Sequence, residues 1–191
     1  MVGTWKRWCW ALTLCVGFVF VGEAEAQTPE RSYHQLRYVS DPGVPLFPPN
    51  AEVCARAPFE ANGYVEGGLS TFAADSHTGE VVESSVRGVG RARACIQFQD
   101  LSFAPFAHPV PIYWELEVEG IGAFTANGYC MPSNNADPVP GLILGGCVMQ
   151  LMTPPPGYLG GNLVEGGVVL NPFALPGYEY TSSFMTLHLF K

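Results

Sequence analysis

Arg91-Ala92-Arg93-Ala94-Cys95-Ile96-Gln97-Phe98-Gln99 is the cleanest alternation in the chain. Ala92, Ala94, Ile96 and Phe98 point to one side, and Arg91, Arg93, Cys95, Gln97 and Gln99 to the other. A period of two predicts a strand with one buried and one polar face. Beyond a loop broken by Pro105, Pro109 and Pro111, the pattern returns. Trp114, Leu116 and Val118 share one face; Tyr113, Glu115, Glu117 and Glu119 share the other. Two such strands in succession predict an antiparallel pair. One register sets Gln97 near Glu115 and Arg93 near Glu119.

Working outward, Tyr64 to Ala73 reads as a strand, Asp75 to Gly79 as a polar turn, and Glu80 to Val86 as the returning strand of a hairpin. Downstream, strands are expected at Ala123–Cys130, Leu142–Met152, Leu159–Leu170 and Tyr178–Phe190. Gly145-Gly146 weakens the second of these or marks a bulge. Pro154 to Gly157, Asn171-Pro172 and Pro176-Gly177 supply the turns between them. The last strand is expected to pair with an early one and close the sheet. The 22 Gly and 17 Pro argue against long helices, and the one helical turn expected lies around 48–57. The fold class is therefore all-β: a single antiparallel barrel or sandwich of about eight strands, stabilised by disulfides.

The N-terminus reads as a cleavable leader. Lys6 and Arg7 precede an apolar run from Trp8 to Val21, and Ala24-Glu25-Ala26 follows as a small-residue cleavage site. The run is shorter than the ~20 residues that span a bilayer. The expected organisation is a signal peptide at 1–26, a proline-rich lead-in at 27–50 and one β domain at 51–191. No transmembrane helix is expected after signal removal. Asp41-Pro42-Gly43, Pro45 and Pro48-Pro49 keep helix out of the lead-in. Secretion or a periplasmic location follows from the leader.

The formal net charge is −8, and the leader, with two basic and two acidic residues, leaves it unchanged. Lys191 is the one lysine beyond the leader. An acidic, lysine-poor surface repels phosphate, so nucleic acid is not an expected partner. Cys9 and Cys15 leave with the signal. Cys54, Cys95, Cys130 and Cys147 remain, and none forms a C-x-x-C pair. Of three possible connectivities, Cys54–Cys95 with Cys130–Cys147 is preferred, because the second pair closes the Pro/Asn/Gly-rich loop 131–146.

Signals of chemistry are sparse. Glu115, Glu117 and Glu119 have the spacing of a glycosidase carboxylate pair, but an acidic solvent face, or a charge ladder with Arg91 and Arg93, has the same spacing. His34, His77, His108 and His188 fall at no metal-ligand spacing. His77 reads as exposed in a turn, and His188 as a core histidine. Asp75, Asn134, Asn135 and Asp137 are loop oxygens without the spacing of a calcium loop. No catalytic residue, metal or cofactor is expected. Phe59 to Tyr64 echoes Phe124 to Tyr129, and Val65-Glu66-Gly67-Gly68 recurs as Val164-Glu165-Gly166-Gly167; the unequal offsets exclude a repeat array.

The expected function is an exported, non-catalytic binding module for a small apolar ligand or another extracellular surface, with Arg91, Arg93, Glu115, Glu117 and Trp114 as candidate ligand contacts. Two alternatives stand beside it. One is a small-barrel enzyme of cyclase or isomerase type, using pocket shape and one or two polar residues from the set Arg91, Arg93, Glu115 and Glu117. The other is an eight-stranded outer-membrane barrel.

Overall fold

The computed structural model describes residues 30–71, 73–74, 81–83, 87–98, 108–132, 142–171, 175–177 and 181–191. In chain order the elements are β1 (Arg31–Ser40), α1 (Ala51–Cys54), β2 (Gly63–Thr71), β3 (Ala73–Ala74), β4 (Val81–Glu83), β5 (Gly88–Ile96), β6 (Val110–Val118), β7 (Gly122–Pro132), β8 (Ile143–Thr153), β9 (Gly160–Leu170) and β10 (Thr181–Phe190). Eight strands close a barrel in the order β1-β10-β9-β8-β7-β6-β5-β2, and every neighbouring pair is antiparallel. Going round the ring follows the chain. It is an up-and-down barrel, with β3 and β4 forming a separate two-stranded sheet between β2 and β5.

The alternation that opened the reading places the core. Ala92, Ala94 and Ile96 of β5, and Trp114, Leu116 and Val118 of β6, all point inwards and are buried. Trp114 stands opposite Ala94 on one side and Ala126 of β7 on the other. Both alanines are 0% exposed. Small residues on the flanking strands make room for the indole, the size alternation by which a narrow barrel fills its own interior. Backbones also approach closely: a Cβ at Gly128 would collide with the Val148 carbonyl, and one at Gly90 with that of Glu117.

The β5–β6 register differs from the one expected. Arg93 stands opposite Glu115, and Arg91 opposite Glu117. The connecting loop, not the side-chain pattern, sets which even-numbered slip is used, because every such slip keeps the same faces in and out. The anticipated hairpin is reduced to Ala73–Ala74 pairing with Val81–Glu83; β2 itself pairs with β1 and β5. The turn with Asp75 and His77 lies outside the described residues. The bulge expected at Gly145-Gly146 is present as a register shift between Gly145 and Cys147.

Residues 31–40, inside the segment read as a lead-in, form the strand that closes the barrel. Arg31↔Phe190 through Val39↔Ser182 pair β1 with β10, and Leu36↔Thr71 through Ser40↔Gly67 pair it with β2. Between Pro29 and Pro42 the segment holds no proline. In that stretch, Leu36 and Tyr38 alternate inwards against Gln35, Arg37 and Val39. Only two apolar residues mark the inner face, which is why the period is faint there. The leader at 1–26 lies outside the described residues.

The remainder of that segment forms a second layer. Asn50 caps α1 by accepting from the Glu52 and Val53 amides at 3.1 and 3.2 Å. Val53 and Cys54 then pack on Tyr64, Cys95 and Tyr113, on the outside of β2, β5 and β6. Cys95 alternates with two arginines yet is fully buried, because this layer covers it. The Cys54–Cys95 disulfide ties the layer to the wall, and Cys130–Cys147 joins β7 to β8.

Candidate functional site

Four of the five residues singled out from sequence come together along an outer cleft of about 610 Å³, and the fifth lies apart from them. Arg91, Arg93, Glu115 and Glu117 lie on the outer face of β5 and β6, and Trp114 lies inside the barrel. Outside, Glu115 receives Arg56 through Nε at 2.5 Å and Nη2 at 2.9 Å, Arg93 at 3.1 Å, and the Tyr113 hydroxyl at 3.1 Å. Arg91 bridges Asp41 at 2.5 Å and Glu66 at 2.8 Å, and Tyr64 donates to Glu66 at 2.7 Å. Partial burial works against ionisation of Glu115, but Arg56, Tyr113 and Arg93 outweigh it and hold its pKa below the usual carboxylate value. The Tyr64 hydrogen bond, then Arg91, does the same for Glu66. Both carboxyls are therefore ionised near neutral pH. A glycosidase pair needs one carboxylic acid to protonate the leaving group, and of the carboxylates at 115, 117 and 119, Glu115 is held ionised and does not supply it.

The inner face holds a carboxyl of the opposite kind. On β9, Gly161, Leu163 and Glu165 point into the barrel while Asn162 and Val164 point out. Glu165 is 3% exposed. Its Oε2 accepts the Trp114 indole N–H at 3.0 Å, and its Oε1 accepts the Ser183 hydroxyl at 2.7 Å. No cation pairs with it among the described residues. Burial raises its pKa to about 7, against the smaller lowering by Ser183 and Trp114. Tyr38 packs edge-on to Trp114 with ring centroids 4.9 Å apart. Burial, then the charge of Glu165, pushes the Tyr38 phenol further from ionisation, and its hydroxyl has no hydrogen-bond partner among the described residues.

Glu165 opens onto a cavity of about 60 Å³. Its walls come from Ile96, Val110, Cys130, Ile143, Leu170 and Thr181, among others. These residues stand at the end of β5, the start of β6, near the end of β7, and at the start of β8, the end of β9 and the start of β10. Antiparallel order brings all of those points to one mouth of the barrel. The bulges at Gly145/Cys147 and near Gly167, which has φ +57°, break the ladder beside it. Apart from Glu165 and Thr181 the lining side chains are apolar or half-cystine.

Cys130, Cys147 and Glu165 bring three ligand-type atoms within 4.8 Å of one another. Both sulfurs are spent in the disulfide, which leaves a single carboxylate rather than a thiolate chelate. His188 lies on the outward face of β10 with its ring 4.6 Å from that of Tyr33; the expectation of a core histidine is corrected. His108 is exposed, and Asn134, Asn135 and Asp137 lie outside the described residues.

Sequence reasoning missed Glu165. The Val-Glu-Gly-Gly echo grouped it with Glu66, yet the two point to opposite sides of the wall: Glu66 is outside with Arg91, Glu165 inside with Trp114. The available signal was the alternation Leu163, Glu165 against Asn162, Val164, which puts a carboxyl on the apolar face. Comparison with protein families, with curated proteins and with solved structures finds no match for this chain.

Proposed function

We propose that this barrel is an exported binding module that takes a small, mainly apolar molecule, or the apolar end of a longer one, into the cavity at one mouth. The observation that carries the reading is Glu165: an unpaired carboxyl buried on the wall of an otherwise apolar cavity. Burying an ionised carboxylate costs several kcal/mol, and an aliphatic side chain there would be cheaper for the fold. Strongly perturbed groups in a cleft mark functional sites.

The size of the cavity sharpens the reading. About 60 Å³ holds roughly four to six water-sized groups. Whole drug-sized ligands occupy about 300–1,000 Å³. A short molecule or a chain terminus fits; an entire lipid does not. The two disulfides are compatible with an extracellular or periplasmic location.

Arg91, Arg93, Glu115 and Glu117, the residues of the enzyme alternative, face an outer cleft and not the interior cavity. An apolar interior also argues against the outer-membrane reading, because membrane barrels put polar side chains inside and an apolar band outside. Here Asn127, Gln150, Asn162 and His188 form one outward row across β7 to β10.

The test uses residues 27–191 made in an oxidising compartment. Trp5, Trp8 and Trp10 belong to the leader, so Trp114 is the sole tryptophan of that chain and reports the cavity directly. Native mass spectrometry looks for a retained molecule, and the Trp114 indole N–H resonance is followed while 2-pentanone, n-pentane, pentanoate or pentylamine is added. A retained mass or a saturable shift with any probe supports the reading. No retained mass and no shift with any of the four overturns it.

A further inference from the structure

We infer that the cavity selects a neutral molecule carrying a hydrogen-bond acceptor, of the ketone, aldehyde or ester class, and that Glu165 orients it by donating the carboxyl proton to that oxygen. This rests on the binding reading above and specifies what the site accepts.

The argument is a count of donors and acceptors. Trp114 Nε1 has one proton and spends it on Glu165 Oε2; Ser183 Oγ spends its proton on Oε1. Both carboxyl oxygens are therefore already accepting. A protonated carboxyl has one further O–H to place. Trp114, Ser183 and a protonated Glu165 bring three protons to two contacts, and the Tyr38 hydroxyl, which could accept the third, makes no hydrogen bond among the described residues. One proton of the cluster is left over, and the cluster borders a space whose other walls are largely hydrocarbon and a disulfide. A carbonyl oxygen entering that space supplies the missing acceptor, and its alkyl chain meets the apolar lining.

Other ligand chemistries satisfy the cluster less well. An anion meets no positive charge inside the barrel among the described residues. An ammonium group needs Glu165 ionised, and the pair desolvates two charges against an apolar wall. A plain alkane fills the space but leaves the buried O–H unmatched.

The pH dependence has one source. The groups that face Glu165 are Tyr38 from β1, Trp114 from β6, the half-cystines Cys130 and Cys147 from β7 and β8, and Ser183 from β10. Of these only Tyr38 titrates, far above neutral. Acceptor binding therefore follows the Glu165 proton.

The experiment compares the same four probes on residues 27–191 at pH 5.5 and pH 8.5, with Glu165→Gln and Glu165→Leu beside the unaltered chain. The expected result is that 2-pentanone binds most tightly at pH 5.5 and about tenfold more weakly at pH 8.5, the loss of one hydrogen bond. Glu165→Gln keeps ketone binding at both pH values, because its amide N–H donates without titrating. Glu165→Leu removes the preference of ketone over n-pentane while still binding both. Equal binding of ketone and alkane at both pH values in the unaltered chain overturns this inference and leaves the binding reading standing. Pentylamine binding best, and better as pH rises, also overturns it, in favour of a cation pocket. Silence from all four probes removes the inference together with the binding reading.

Discussion

The Trp114 indole donates to the Glu165 carboxyl from β6 to β9, across the barrel interior, at 3.0 Å. Neither strand neighbours the other in the ring: β7 and β8 lie between them on the shorter way round. The bond therefore reads the closure of the barrel as well as the state of the carboxyl.

A first consequence is spectroscopic. Titrating residues 27–191 should change Trp114 emission with a midpoint at about pH 7, the value to which burial raises Glu165. Glu165→Gln should abolish that transition. A midpoint near the ordinary carboxylate value of 4.5 would show that Glu165 is solvated in solution.

A second concerns stability. The folded-state pKa of Glu165 is raised, so the native state holds this proton more tightly than the unfolded chain does. Its contribution is fully present below about pH 4.5 and is lost as pH rises to about 7. The loss amounts to about 3 kcal/mol if the whole shift is expressed. Urea midpoints of the unaltered chain should fall across that window relative to Glu165→Gln, whose curve lacks this component. Parallel curves would refute the burial of the charge.

Packing around the indole gives a third. Ala126→Leu inserts carbon into a site that Ala126 and Ala94 keep open for Trp114. Overpacking of this kind costs about 1–3 kcal/mol. Denaturant unfolding measures it, and a neutral result would mean that the barrel widens without strain.

The two disulfides should separate by hydrogen exchange. Closing sequence separations of 41 and 17 residues corresponds to about 4 and about 3 kcal/mol on the chain-entropy model. Cys54→Ser with Cys95→Ser should speed exchange most in residues 44–61, the layer packed outside the wall. Cys130→Ser with Cys147→Ser should instead speed exchange at the cavity mouth, in β7 and β8.

The outer charges provide the control. Arg93→Ala removes one of two arginines from a partly exposed Glu115, which retains Arg56. Pairs of this exposure contribute about 0–1 kcal/mol. Probe shifts at Trp114 should be unchanged in this variant; a lost response would place the outer face in the site.

By itself the sequence determined seven of the eight strands of the wall, the inward and outward faces of β5 and β6, and the cysteine pairing. Alternation at 91–98 and 113–118 is a local property, written in the solvation of successive side chains, and it survives any register. The disulfides followed from number, spacing and loop composition. What only the tertiary structure decided was how the faces meet. Register joined Arg93 to Glu115 because the length of a loop, not a pattern, sets the slip. Residues 31–40 became a wall strand because β10 and β2 both needed a neighbour, a demand invisible in ten residues with two inward apolar side chains. Glu165 became a site for the same reason. Its strand pattern points it inwards, but closure of the barrel removes its water, supplies Trp114 and Ser183 from distant strands, and leaves a cavity against it. Desolvation is a property of the closed wall, and no stretch of sequence carries it alone.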